Sequence, residues 1–133
     1  MSKVLDYMSF PVLTVSPNAY ARDAIAKMRE NKVSALFVEE NGKYVGVISK
    51  TDWIHMVLRE ECDPNTIEVS TIMASPIITV DKNETLAKAS ALIEEHNIRH
   101  LAVTEKGKII GMLSVKDLER YYCQLHDKPG VAR

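Results

Sequence analysis

Apolar residues recur along this chain in two rhythms that alternate. Ala21, Ala24, Ile25 and Met28 fall at i, i+3, i+4 and i+7, which predicts an amphipathic helix ending near Asn31. Before it, residues 12–15 form a short extended run after a proline, and Ser16-Pro17-Asn18 supplies turn and helix-start chemistry. After it come two apolar runs, 35–38 and 44–48, separated by Asn41-Gly42, a pair that tolerates positive φ and predicts a hairpin. The runs are apolar at successive positions, as expected for strands covered on both faces. Trp53, Met56 and Val57 then return to helical spacing. One unit therefore reads β-α-β-β-α.

The same order recurs further on. Gly46-Val47-Ile48-Ser49-Lys50-Thr51-Asp52 returns as Gly111-Met112-Leu113-Ser114-Val115-Lys116-Asp117, a constant offset of 65. Met8-Ser9-Phe10-Pro11 returns as Met73-Ala74-Ser75-Pro76 at the same offset. In the second copy Leu86, Ala89 and Ile93 form the helical stripe, with Asn83 expected as its N-cap. Residues 101–103 and 109–113 flank a Lys106-Gly107 turn, and Leu118, Tyr121, Tyr122 and Leu125 line the last helix. A gapless repeat predicts two copies of one supersecondary unit packed about a pseudo-twofold axis. The fold class is α+β. The expected boundaries are repeat 1 at 1–60, a linker at 61–68, repeat 2 at 69–126 and a flexible tail at 127–133. Each copy is near the size at which an isolated core is marginal, so mutual packing is the economical arrangement.

Composition narrows the function classes. The net charge is −1, so no global field draws in nucleic acid or an anionic membrane. No apolar run approaches the ~20 residues of a membrane-crossing helix. The first residues have no charged-then-apolar leader layout, and a cytoplasmic protein is expected. Cys62 and Cys123 stand outside any CxxC spacing, and reduced thiols are expected rather than a disulfide or metal pair. The four histidines have no metal-ligand spacing. Ser49 and Ser114 have no adjacent base, so no enzyme activity is expected.

The chemistry concentrates in Gly-h-h-Ser-x-x-Asp, where h is apolar, present twice in register. An ionised carboxylate accepts only, and Asp52 or Asp117 could take the hydroxyls of a sugar diol. Ser49 and Ser114 stand at a strand-to-helix junction, where unpaired N–H groups suit an anion. Ser-x-x-Asp is also close to a capping box, which needs no ligand. The mid-strand glycines, Gly46 and Gly111, signal close approach of a ligand or another backbone. Arg99-His100 opens the middle strand of the second copy, where the first has Ser34-Ala35. Arginine supplies a forked, fixed charge suited to phosphate, and His100 a donor expected to be partly charged near neutral pH.

In this order the motifs resemble the cystathionine-β-synthase (CBS) domain, and the tandem pair resembles a Bateman module over residues 4–123. The resemblance implies clefts between the repeats that bind an adenosine-containing ligand: AMP, ADP, ATP, S-adenosylmethionine, NAD or cyclic di-AMP. It implies that Asp52 and Asp117 hold the ribose and that Ser49 and Ser114 sit near ribose and phosphate. It further implies that Arg99 and His100 reach phosphate, and that Val12, Ile77, Val47 and Met112 sandwich the base. Phe37 is expected to narrow one pocket. Because only one copy has the basic pair, the two sites are expected to differ. The leading expectation is a stand-alone regulatory module, with no obligatory cofactor, that forms a homodimer and signals to an unknown effector protein. A structural dimerisation module with vacant clefts and a nucleic-acid binder are the alternatives.

Overall fold

The computed structural model describes residues 2–10, 12–59 and 63–126. The expected tail at 127–133 and Cys62 lie outside them. Each copy forms a three-stranded sheet. In the first, β1 (Thr14–Val15) lies parallel to β2 (Ala35–Glu40), and β2 lies antiparallel to β3 (Lys43–Ser49). Helix α1 (Ala21–Asn31) makes the crossover, and α2 (Lys50–Val57) follows β3. A one-turn helix, α3 (Val69–Ile72), precedes the second copy. There β4 (Thr79–Asp81), β5 (His100–Glu105) and β6 (Lys108–Ser114) repeat the topology, with α4 (Leu86–His96) as crossover and α5 (Val115–His126) last.

Local chemistry accounts for the boundaries. Asn41 and Gly42 both have positive φ, as do Lys106 and Gly107, the backbone of a two-residue hairpin turn that matches strand twist. Helices α1 and α4 end on the left-handed residues Lys32 and Asn97, twins in the repeat. The expected cap of α4 is corrected. Thr85, not Asn83, accepts from Lys88 N–H at 3.1 Å, because Asn83 is drawn into a turn in which its own N–H donates to Asp81 at 2.8 Å. A short 3-10 helix, Val4–Asp6, and α3 were not legible as periodic segments, since three or four residues are too few to show a period.

The compact units are not the two copies. Met1–Pro11 joins Ile78–Arg133 in one unit, and Val12–Ile77 forms the other. Each copy's leading segment pairs with the return strand of the other copy. Ser9 exchanges both backbone hydrogen bonds with Met112, at 2.8 and 3.2 Å, and Ala74 does so with Val47, at 2.9 and 2.8 Å. In the unit that holds the second copy, Val4 and Met8 complete a core of Val80, Leu86, Ala89, Leu101, Val103, Leu113 and Leu118. In the other unit, Val69 of α3 joins Ala24, Met28, Leu36, Val38 and Ile48. The exchange explains the mid-strand glycines. A Cβ on Gly111 would stand 2.6 Å from the Ser9 carbonyl oxygen, and one on Gly46 2.9 Å from that of Ala74. Both glycines admit another backbone.

Candidate functional site

Strand alternation sorts the site residues from the core. Along β5 and β6, Leu101, Val103 and Leu113 point into the helix-packed core. His100, Ala102, Met112 and Ser114 therefore share the opposite face. The register places His100 directly across from Ser114, and Val115 N–H donates to the Arg99 carbonyl at 3.1 Å. The sheet thus brings Arg99, His100, Met112, Ser114 and Asp117 to one strand end. In the other unit, Val47 and Ser49 share a face of β3, Ala35 lies across from Ser49, and Lys50 N–H donates to Ser34 at 3.0 Å. Val12 and Ile77 belong to this unit and are half-buried. Phe37 is buried on the same face as Val47 and packs on Tyr44, ring centres 5.3 Å apart.

Both Ser-x-x-Asp motifs adopt the capping box. Ser49 donates to Asp52 Oδ2 through its backbone N–H at 2.8 Å and its hydroxyl at 3.1 Å, and its Oγ accepts from Asp52 N–H at 3.4 Å. Ser114 and Asp117 repeat the arrangement with the same three distances. Oδ2 thus already accepts two hydrogen bonds, and a diol meeting either carboxylate in this conformation is met by Oδ1. The Oδ1 of Asp52 has no hydrogen-bond partner among the described residues. The Oδ1 of Asp117 lies 3.7 Å from Arg120 Nη2.

Electrostatics separates the two copies. Burial raises the Asp52 carboxyl above its ordinary 3.8, against the lowering effects of the Ser49 hydrogen bonds and of His55. His100 is pushed down to about 4, first by burial and then by the Arg99 charge. The partly charged state expected of His100 near neutral pH is therefore corrected: the half-buried ring beside Arg99 is neutral there. Arg99 is exposed and supplies the fixed positive charge of that strand end.

Two residues of this neighbourhood were not singled out from the sequence. Arg120 and His55 are twins, each three positions after the motif aspartate on the next turn of helix. Arg120 also donates to the Tyr7 carbonyl at 3.1 Å and stands 5.1 Å from the centre of the Tyr7 ring. It therefore links the motif helix to the exchanged N-terminal segment. A basic residue at the same offset in both copies was the available signal. Among the described residues no cluster of His, Cys, Asp and Glu could hold a metal ion, and no helix is long and apolar enough to cross a membrane.

Comparison with known proteins agrees with this architecture. The family model of the CBS domain matches twice, at residues 4–59 and 69–123. The CBS domain-containing protein YhcV of Bacillus subtilis is 31% identical over 118 residues, covering 89% of this chain and 84% of that protein. A solved protein with CBS domains from Burkholderia ambifaria superposes with a TM-score of 0.85 at 26% identity, covering 98% of this chain and all of that one. A CBS domain pair solved in complex with 5′-methylthioadenosine and S-adenosyl-L-methionine shares the fold, with a TM-score of 0.79 at 21% identity over 93% of this chain and 98% of its own.

Proposed function

The chain belongs to the CBS domain family, and from that premise we propose that it is a regulatory, non-catalytic module whose ligand contains adenosine. The observation that carries the reading is the strand end of the second copy. There Asp117, in the first turn of α5, is held by Ser114 with its Oδ1 outside the capping bonds, and Ser114 pairs across the sheet with neutral His100, which directly follows Arg99. A carboxylate oxygen suits ribose hydroxyls, and a forked cation beside a neutral N–H donor suits phosphate. Met112, on the site face of β6, offers an apolar surface to a base. The first copy keeps Asp52 and Ser49 but has Ser34 and Ala35 for the basic pair. We assign it the weaker affinity for a phosphorylated ligand. That a protein of this fold has been solved with two adenosine derivatives supports the ligand class.

The module would act by population shift, with the ligand favouring the arrangement it binds more tightly and an effector protein reading the change. A homodimer fits the apolar residues left exposed on or just after the second helix of each copy, Val57 on α2 with Leu58 following it, and Tyr122 and Leu125 on α5. The complete capping boxes favour a second reading, in which Ser-x-x-Asp only starts helices and the module serves dimerisation. Isothermal titration with AMP, ATP, S-adenosylmethionine and NAD separates the two. Saturable heat with at least one ligand, lost in Asp117→Ala, is the expected result. No heat with any of them favours the structural reading. Native mass spectrometry of the same sample reports the oligomer and any nucleotide that purifies with it.

A further inference from the structure

Asp52 and Asp117 start their helices with the same capping bonds, but their surroundings differ. Asp117 is buried and Asp52 half-buried. In each motif the serine hydroxyl and backbone N–H hold Oδ2 alone. A carboxylate turns about a broad two-fold torsion, so bonds to one oxygen leave the place of the other less firmly set. A diol clamp needs that second oxygen in a fixed place, because a group positioned before the ligand arrives loses less freedom on binding. At Asp117 the second oxygen has a neighbour. Arg120 Nη2 stands 3.7 Å from Oδ1. That is too long for a hydrogen bond, so the charge attracts Oδ1 without taking its lone pairs.

Tyr7 holds the guanidinium at that distance. The same Nη2 donates to the Tyr7 carbonyl at 3.1 Å, and the guanidinium carbon lies 5.1 Å from the centre of the Tyr7 ring. Tyr7 is itself fixed. Its hydroxyl donates to Gln124, its ring meets that of Tyr121 edge-on at 5.4 Å, and its N–H donates to the Val4 carbonyl at 3.0 Å. Two residues on, Ser9 pairs with Met112 of the site face. The repeat separates this assembly from helix capping. The twins of Arg120, Tyr7, Tyr121 and Gln124 are His55, Ile72, Met56 and Arg59. With those residues in place, the first copy forms the same capping box at the same distances. Neither the helix start nor the topology of the repeat requires Arg120 and Tyr7.

We propose that Arg120 is a positioning residue for the sugar: steadied by Tyr7, it holds Asp117 Oδ1 where a ribose diol is received, and so ties recognition of the diol to the docked N-terminal segment. The inference rests on the reading of Asp117 as the ribose acceptor. Isothermal titration of the full chain with AMP and with its 2′,3′-dideoxy analogue tests it, since the analogue keeps base and phosphate and lacks the diol. The wild type should favour AMP by about tenfold or more, the scale of hydrogen bonds to a charged acceptor. Arg120→Gln should weaken AMP about two- to fivefold, the scale of a half-exposed ion pair, and leave the analogue unchanged. Arg120→Lys, which returns the charge, should recover part of the preference. Tyr7→Leu, which removes the ring and hydroxyl that steady the guanidinium, should lower it in the same direction, and circular dichroism verifies each fold. An equal loss for both ligands in Arg120→Gln overturns the proposal, because Arg120 then only docks the segment. So does an unchanged preference in Arg120→Gln and Tyr7→Leu while Asp117→Ala lowers it, and in that case the ribose reading stands. Equal affinity of the wild type for the two ligands removes the ribose reading and the proposal with it.

Discussion

His100 makes this protein's stability depend on pH in a calculable way. An unfolded histidine titrates near 6.5, and in the fold His100 is pushed down to about 4 by burial and by Arg99. Below about 6.5 the unfolded chain takes up a proton that the folded chain refuses, so stability falls as pH drops toward 4. From about a unit above 6.5 the ring is neutral in both states and contributes almost nothing to the slope. The full gap of about 2.5 in pKa corresponds to about 3 kcal/mol. At about pH 5, where the unfolded ring is almost fully protonated, roughly 2 kcal/mol has been lost relative to about pH 7.5. The perturbation is His100→Gln, which keeps a polar side chain and removes the titration. Urea unfolding followed by far-ultraviolet circular dichroism at the two pH values gives the stability difference for each protein. Hydrogen-exchange protection of the β5–β6 ladder localises it. Asp52, whose carboxyl is raised, stabilises as pH falls, but it is common to both proteins and cancels in the comparison. The wild type should lose about 2 kcal/mol more than the variant. Equal losses in the two proteins would refute the burial argument.

Further outcomes follow from the same geometry. Arg99→Ala should weaken AMP binding in isothermal titration and leave adenosine unaffected; an equal loss for both ligands removes the phosphate role. Asp52→Ala and Asp117→Ala should each weaken nucleotide binding, and wild-type affinity in both folded variants sinks the ribose assignment. Ser114→Ala removes the hydroxyl that caps α5 and should cost about 1 kcal/mol in urea unfolding. Gly111→Ala places a methyl 2.6 Å from the Ser9 carbonyl. It should destabilise by about 1–3 kcal/mol and speed amide exchange at Ser9 and Met112, whereas unchanged exchange would mean that the segment gives way at no cost. Deleting residues 1–10 removes Val4 and Met8 from the core they share with Leu101 and Leu113. Exchange should then quicken in the second copy before the first.

The elements most legible in the sequence are those whose causes are local. The stripe Ala21, Ala24, Ile25, Met28 predicted α1 to its last residue, and the Asn41-Gly42 and Lys106-Gly107 turns predicted both hairpins. The offset of 65 predicted two copies of one topology. Gly46 and Gly111 announced a close approach and, in the sequence, spoke for a ligand; the structure gives that approach to backbone instead, the Ala74 and Ser9 carbonyls. His100 was recognised as part of the constellation and its charge state was not, because the desolvation that lowers its pKa is a property of the folded chain rather than of neighbouring residues in sequence.

By itself the sequence determined the repeating unit, its turns and helix stripes, and the difference between the copies at Arg99-His100. Each of these depends on residues within a turn or two of one another. The tertiary structure alone decided that Met8–Ser9 packs with the second copy and Ala74 with the first, that Asp52 and Asp117 spend Oδ2 on their own capping boxes, and that the His100 ring is neutral. The two copies are so alike that either leading segment could pair with either return strand on local pattern alone. The choice, and with it the burial and hydrogen bonding of the site, is made by contacts between residues about a hundred positions apart, such as Ser9 and Met112.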